Sequence, residues 1–250
     1  MKASLEHSHD KEDIRKRLRD GHGSSYLRDA ILGGIDGCVT TIAVVASVAG
    51  AGLPGMIAFV LGVASLVADA LSMGVSNYQA VKSDEEARER LRRQEEKHVD
   101  IVPDGEREEI REIFRAKGFS GDALETIVET ICADRKLWVD TMIKEEYGLA
   151  LDGPTAWKAG CATFSVFMGV GALPLLPFLV PYLSGAEYFV ASGVVTALAL
   201  FGIGWVKGWV LDTRRFQAGL ETLLMGGGAA AVAFLFGFFL EPMLGDLRLG

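Results

Sequence analysis

Long apolar runs alternate with charge-dense blocks along the 250 residues. A helix needs about 20 largely apolar residues to cross the hydrocarbon core of a bilayer. Five runs meet that length. Residues 30–53 carry one acid, Asp36, and residues 54–81 carry one charged residue, Asp69, with Asn77 among their few polar members. Residues 159–183 and 188–206 carry no charge, and residues 216–240 hold Glu221 near their start. Pro174, Pro177 and Pro181 fall in the second half of the third run, so a kinked or broken helix is expected there.

Between the second and third runs the pattern changes. Residues 84–98 are charge-dense and can extend the second helix beyond the membrane. Val102-Pro103-Asp104 reads as a turn before an acidic first turn, and Ile110, Ile113 and Phe114 follow at helical spacing. A third helix is expected over 120–148, because Leu124, Ile127, Val128, Ile131, Leu137 and Met142 recur every few residues until Gly148. The expected fold is therefore all-α: a polytopic membrane protein of five transmembrane helices with a three-helix insert between spans two and three. Its parts are a tail over 1–25, spans one and two over 26–82, the insert over 83–153, spans three to five over 154–241, and a tail over 242–250. The insert is too small for a large core of its own, so dimerisation or bound metal would help it.

Charge sharpens this division. Residues 81–156 hold 13 Lys/Arg and 20 Asp/Glu, nearly all of the chain's net −8. A nucleic-acid partner is excluded on that balance. Lys11, Arg15, Lys16, Arg17, Arg19 and Arg28 precede span one, the insert carries 13 basic residues, and Lys207, Arg214 and Arg215 link spans four and five. The opposite loops, 50–55 and 184–187, have none. The bias places the N-terminus and insert in the cytoplasm and the C-terminus across the membrane. Residues 1–28 lack the apolar stretch of a signal peptide. Cys38, Cys132 and Cys161 are far apart and form no CxxC pair, as expected of buried thiols in a reducing compartment.

Ionisable groups inside spans are expensive and point to function. Asp36 and Asp69 are such groups; the competing reading of each is a carboxyl that only stabilises helix packing, and it weighs more for Asp69 than for Asp36. With Arg28 and Lys82 as membrane edges and about 1.5 Å of rise per residue, Asp36 lies roughly 12 Å deep, Met73 roughly 14 Å, Asp69 roughly 20 Å and Asn77 about 8 Å. Asp36 and Met73 are thus nearly level, a carboxylate beside a thioether that favours a transition ion over Mg2+ or Ca2+. In the insert, Glu106 and Glu109 share one helix face and Met142 and Glu146 another. Brought together they form an oxygen-rich site with one soft ligand; taken singly, each glutamate reads as part of a solvated face. His7, His9 and Asp10 offer weak metal ligands on an N-terminal tail.

Leu27-Arg-Asp-Ala-Ile-Leu-Gly-Gly-Ile-Asp-Gly37, the Ala70-Leu-Ser-Met-Gly74 run with Tyr78 and Lys82-Ser83, Met142…Glu146-Tyr-Gly-Leu149 and Pro174-Leu-Leu-Pro177 resemble the vacuolar iron transporter family over about residues 26–240. The resemblance implies a homodimer of five-span subunits in the lipid bilayer. It further implies export of Fe2+, or of Mn2+ or Zn2+, from the cytosol in exchange for protons, with no organic cofactor. The ion path it implies is lined by Asp36 and Met73 at the dimer interface; Asp69 and Asn77, polar residues inside span two, are further candidates for that path on their own chemistry and not by the resemblance. The metal ligands it implies in the insert are Glu106, Glu109, Met142 and Glu146, with Glu95 and Glu96 (or His98) as the earlier pair. The sequence departs from the family at three places: Ser76-Asn77-Tyr78 stands where Gly-Glu-Tyr is usual, Ile143 where a second methionine is common, and Asp69 where a small residue is usual. A prokaryotic inner membrane and a eukaryotic vacuolar membrane both fit.

Two competitors come from other classes. A membrane-anchored di-iron, ferroxidase-like or metal-storage protein would need paired Glu-x-x-His motifs; the insert has only Glu95 with His98. A scaffold without transport leaves Asp36 and Asp69 unexplained. The transporter reading treats the chain as no enzyme.

Overall fold

The computed structural model describes residues 10–20 and 26–247; His7 and His9 lie outside them. The elements are α1 (Lys11–Asp20), α2 (Leu27–Gly50), α3 (Gly55–Ile101), α4 (Pro103–Ala116), α5 (Gly121–Cys132), α6 (Arg135–Glu145), α7 (Ala156–Gly171), a 3-10 segment (Leu173–Leu179), α8 (Ala186–Val210) and α9 (Arg215–Leu247). The described residues contain no strand. The chain divides into two compact units, one built on 26–87 and 155–250, the other on 88–154 together with α1.

In the first unit, five helices are long and apolar enough to cross a membrane: α2, α3, α7 with the 3-10 segment, α8 and α9. Their outward positions are apolar too, with Met56, Val60, Leu198, Leu224 and Phe239 all more than half exposed. Such surfaces suit lipid rather than water. The inner faces meet in a cluster of Ile42, Val45, Val48, Leu66, Phe167 and Leu175.

Lipid tails are as apolar as leucine, so close van der Waals packing holds these helices together. Glycine permits the approach. A Cβ on Gly33 or Gly37 would meet the carbonyl oxygens of Thr163 and Phe167 in α7 at 2.5 and 2.6 Å. On the α9 side, a Cβ on Gly237 would lie 2.0 Å from the carbonyl oxygen of Ser47. Ser47 Oγ adds a 3.2 Å bond to the carbonyl of Ala233.

The proline-rich half of the third span breaks as expected: α7 ends at Gly171 and the chain tightens into the 3-10 segment. Pro174 and Pro177 have no N–H to continue an α-helix. The carbonyl freed at Pro174 accepts from Ser192 Oγ of α8 at 2.6 Å.

In the second unit, Val99, Ile110, Leu124, Val128, Trp138, Val139 and Met142 belong to one buried core. The third helix expected over 120–148 is two helices, so the insert has four helical segments, counting the end of α3, where three were expected. The chain turns at Ala133–Asp134 because Asp134 Oδ1 accepts from the backbone N–H of Lys136 at 2.9 Å and of Leu137 at 3.2 Å, capping α6. Arg92 pairs with Asp140 at 2.6 Å and Arg135 with Asp100 at 2.9 Å. The first pair is the better sheltered; the second is exposed and contributes little.

Candidate metal site and intramembrane carboxylates

Beside the insert core lies an acidic cluster. Glu95 and His98 lie on one face of α3, three residues apart, and Glu106 lies in the first turn of α4. One ligand atom from each falls within 4.8 Å of the others. His98 Nδ1 is 3.3 Å from Glu106 Oε1 and 3.7 Å from Glu95 Oε1, and Tyr147 Oη donates to Glu95 Oε1 at 3.1 Å. The side chains of Glu95 and Glu106 are 1% and 4% exposed. Their second oxygens, Oε2 in both, are buried without a hydrogen-bond partner. A buried carboxylate oxygen left unpaired is costly, and a cation removes that cost.

The electrostatics agree. Burial first, then Glu109 and Glu95, push the Glu106 carboxyl up to about 7, against a smaller opposing pull from His98. Desolvation also raises Glu146, with Glu109 and Glu95 adding to it and the Tyr147 hydrogen bond opposing. Burial, then Glu146 and Glu95, raise the Tyr147 phenol, keeping it a neutral donor. The cluster therefore concentrates negative charge that only a cation or protons relieve. Oxygen ligands with one imidazole suit a divalent transition ion.

The structure treats the expected ligands differently. Glu95, Glu106 and His98 converge, and Glu109 and Glu146 are within electrostatic reach. Met142 is wholly buried in the hydrophobic core. Glu96 lies on the Arg135 side of α3, where its carbonyl accepts from Arg135 Nη2 at 3.2 Å. Tyr147 was not foreseen as part of the site, although it follows Glu146 directly.

In the membrane unit, Asp36 and Asp69 are half-buried and feel each other electrostatically. Asp69 Oδ2 accepts from Ser65 Oγ at 2.7 Å. Ser65, Asp69, Ser72 and Ser76 recur at four, three and four residues, which places them on one face of α3. Ser72 and Ser76 are exposed, a polar stripe on the largely apolar membrane half of α3. That spacing is readable in the sequence alone. Met73, half-buried, packs against the apolar cluster of this unit. Asn77 is committed elsewhere: its Nδ2 donates to Asp29 Oδ1 at 2.8 Å, Thr163 Oγ1 at 2.7 Å and the Ala159 carbonyl at 3.2 Å. Asp29 is 8% exposed, so this network ties α2, α3 and α7 together through a buried acid.

Comparison with known proteins points the same way. The sequence profile of the VIT family matches residues 27–238. "Vacuolar iron transporter 2" of Oryza sativa subsp. japonica is 33% identical over 231 residues, covering 89% of this chain and 93% of that protein. "Vacuolar iron transporter 1" of Eucalyptus grandis is 34% identical over 230 residues, covering 88% and 91%. "Vacuolar iron transporter" of Toxoplasma gondii (strain ATCC 50861 / VEG) is 32% identical over 249 residues, covering 93% and 82%. With five apolar helices and a family match across nearly all of them, the chain is an integral membrane protein belonging to the VIT family.

Proposed function

We propose that this protein transports divalent transition-metal ions, Fe2+ first among them, out of the cytosol in exchange for protons. The observation that carries the reading is the Glu95–His98–Glu106 cluster, whose two carboxylates are buried and each keep an unpaired oxygen. The names of its relatives support iron as the ion. The insert is cytoplasmic, captures the ion there and delivers it to the membrane unit. Asp36 and Asp69 then bind it within the membrane, beside Met73. Two neighbouring carboxylates repel when both are charged, and either a divalent ion or protons relieves the repulsion. One pair of acids thereby couples two fluxes in opposite directions. The exposed serine stripe on α3 supports a water-lined path completed by a second copy of the chain.

Proteoliposome flux tests the proposal. With an opposing pH gradient, wild-type protein should move Fe2+, and Mn2+ or Zn2+ more slowly. Asp36→Ala should abolish that movement, and Asp69→Asn should weaken its dependence on the pH gradient. Near-normal flux through Asp36→Ala would sink the assignment.

A further inference from the structure

The outer face of the membrane unit carries a cavity of about 270 Å³ between α3 and α7, walled by Leu71, Val75, Tyr78, Trp157, Cys161 and Phe164. Gly74 and Gly160 form its floor, where the two helices touch: a Cβ on Gly160 would lie 2.8 Å from the Gly74 carbonyl oxygen. Leu71, Val75 and Trp157 are each more than half exposed, and the cavity walls are apolar. From Tyr78 down to Leu71 the groove runs seven residues, about 10 Å along the helix axis.

The mouth of the groove differs from its floor. Tyr78 and Trp157 stand there, the residue types that settle at the headgroup level of a bilayer. A cation lies over each ring. Lys82 Nζ is 5.7 Å from the Tyr78 ring centroid, and Lys158 Nζ is 5.7 Å from that of Trp157. Lys82 reaches Glu86 only at 3.8 Å, and both side chains of that pair are exposed, so the acid holds it loosely. Two ammonium groups thus flank one apolar slot at one end of the span. A soluble ligand offers no match for that pattern; a molecule with an anionic head and a hydrocarbon tail does.

We propose that this groove is a binding site for an anionic glycerophospholipid, with one acyl chain lying along α3 and α7 and the phosphate held by Lys82 and Lys158. The groove lies away from the intramembrane carboxylates. On α3 the groove residues Leu71, Gly74, Val75 and Tyr78 are about 100–200° around the helix from Met73, whereas Asp69 is about 40° from it. The site does not depend on what the protein transports. Each lysine near the membrane surface favours an anionic headgroup by about fivefold, so the pair sets a preference on the order of 30-fold over a zwitterionic lipid.

Cys161 lies in the groove wall and is exposed, whereas Cys38 is buried. In a Cys132→Ser background, maleimide labelling of Cys161 reads occupancy of the full-length protein in detergent. Phosphatidylglycerol should protect Cys161 at roughly 30-fold lower concentration than phosphatidylcholine of the same chain length. Combined Lys82→Gln and Lys158→Gln should erase that difference. Equal protection by the two lipids, or a preference that survives the double substitution, overturns the proposal. So does slow labelling without lipid that scales with protein concentration, because a second copy would then cover the groove. Leu71→Trp fills the slot and leaves both lysines in place. Native mass spectrometry should show that it loses bound phosphatidylglycerol, and undiminished retention also overturns the site.

Discussion

Replacing Glu106 by glutamine should strengthen the metal-free insert and weaken its hold on metal, the two effects having one cause. Glu106 is 3% exposed, and its carboxyl stands at about 7 when folded against an ordinary 4.5. Below pH 4.5 the group is neutral in both folded and unfolded chains, and its contribution to stability is fully present. Between 4.5 and about 7 the unfolded chain gives up the proton while the folded one keeps it, so stability falls as pH rises. Above pH 7 the whole penalty remains. At about 1.4 kcal/mol per pH unit it is on the order of 3 kcal/mol. Glutamine has no proton to lose and escapes this penalty. In full-length protein with a chelator at pH 8, Glu106→Gln should therefore raise hydrogen-exchange protection of the α4 amides by up to about 100-fold. At pH 4.5 the two proteins should be alike. Calorimetry should show weaker Mn2+ or Zn2+ binding by the same variant. Equal α4 protection at pH 8 would refute the argument that an uncompensated buried charge sits at this position.

Three further outcomes follow from packing and capping. Asp134→Ala removes the α6 cap and should cost about 1 kcal/mol, read as faster amide exchange at Lys136 and Leu137; unchanged exchange would show the cap contributes nothing. Gly237→Ala places a methyl against the Ser47 carbonyl and should destabilise the membrane unit by about 1–3 kcal/mol, read as a lower Tm in detergent; an unchanged Tm would mean α9 shifts freely. Asn77→Leu strips a buried acid of its donor and should cost roughly 1–3 kcal/mol by the same measurement, whereas a purely ion-conducting Asn77 would leave Tm unchanged.

The membrane spans were legible because each answers to a local rule: about 20 apolar residues in sequence, read one window at a time. The break in the third span was legible for the same reason, since proline acts on its own neighbours. The break at Asp134 was not. Ile131 and Leu137 keep helical spacing across it, and periodicity alone gives no sign that an aspartate will cap a new helix rather than sit on an old one. Depth and composition make Asn77 a polar residue that could line a path. Its partners, Asp29 and Thr163, lie 48 and 86 residues away, and no local pattern announces them. His98 was secondary to Glu96 among the expected ligands. Only the packing of α4 against the end of α3 brings Glu106 to His98 and leaves Glu96 on the side of Arg135.

Close contact at Gly33, Gly37 and Gly237 bears on how this molecule can move. Where helices meet at bare backbone, sliding one by half a turn drives a Cβ or a carbonyl into its neighbour, so the seam resists shear. The first span is gripped in this way on two sides, by α7 and by α9, and α3 meets α7 through Gly74 and Gly160 in the same manner. Asp36 therefore rides on a stiff rail, and its own rotamer is the main freedom left to it. A cycle that exposes this carboxylate first to one side of the bilayer and then to the other has little bending available inside one such bundle. If the protein alternates access as proposed, its strokes are rigid-body strokes, made at surfaces where side chains rather than backbones meet.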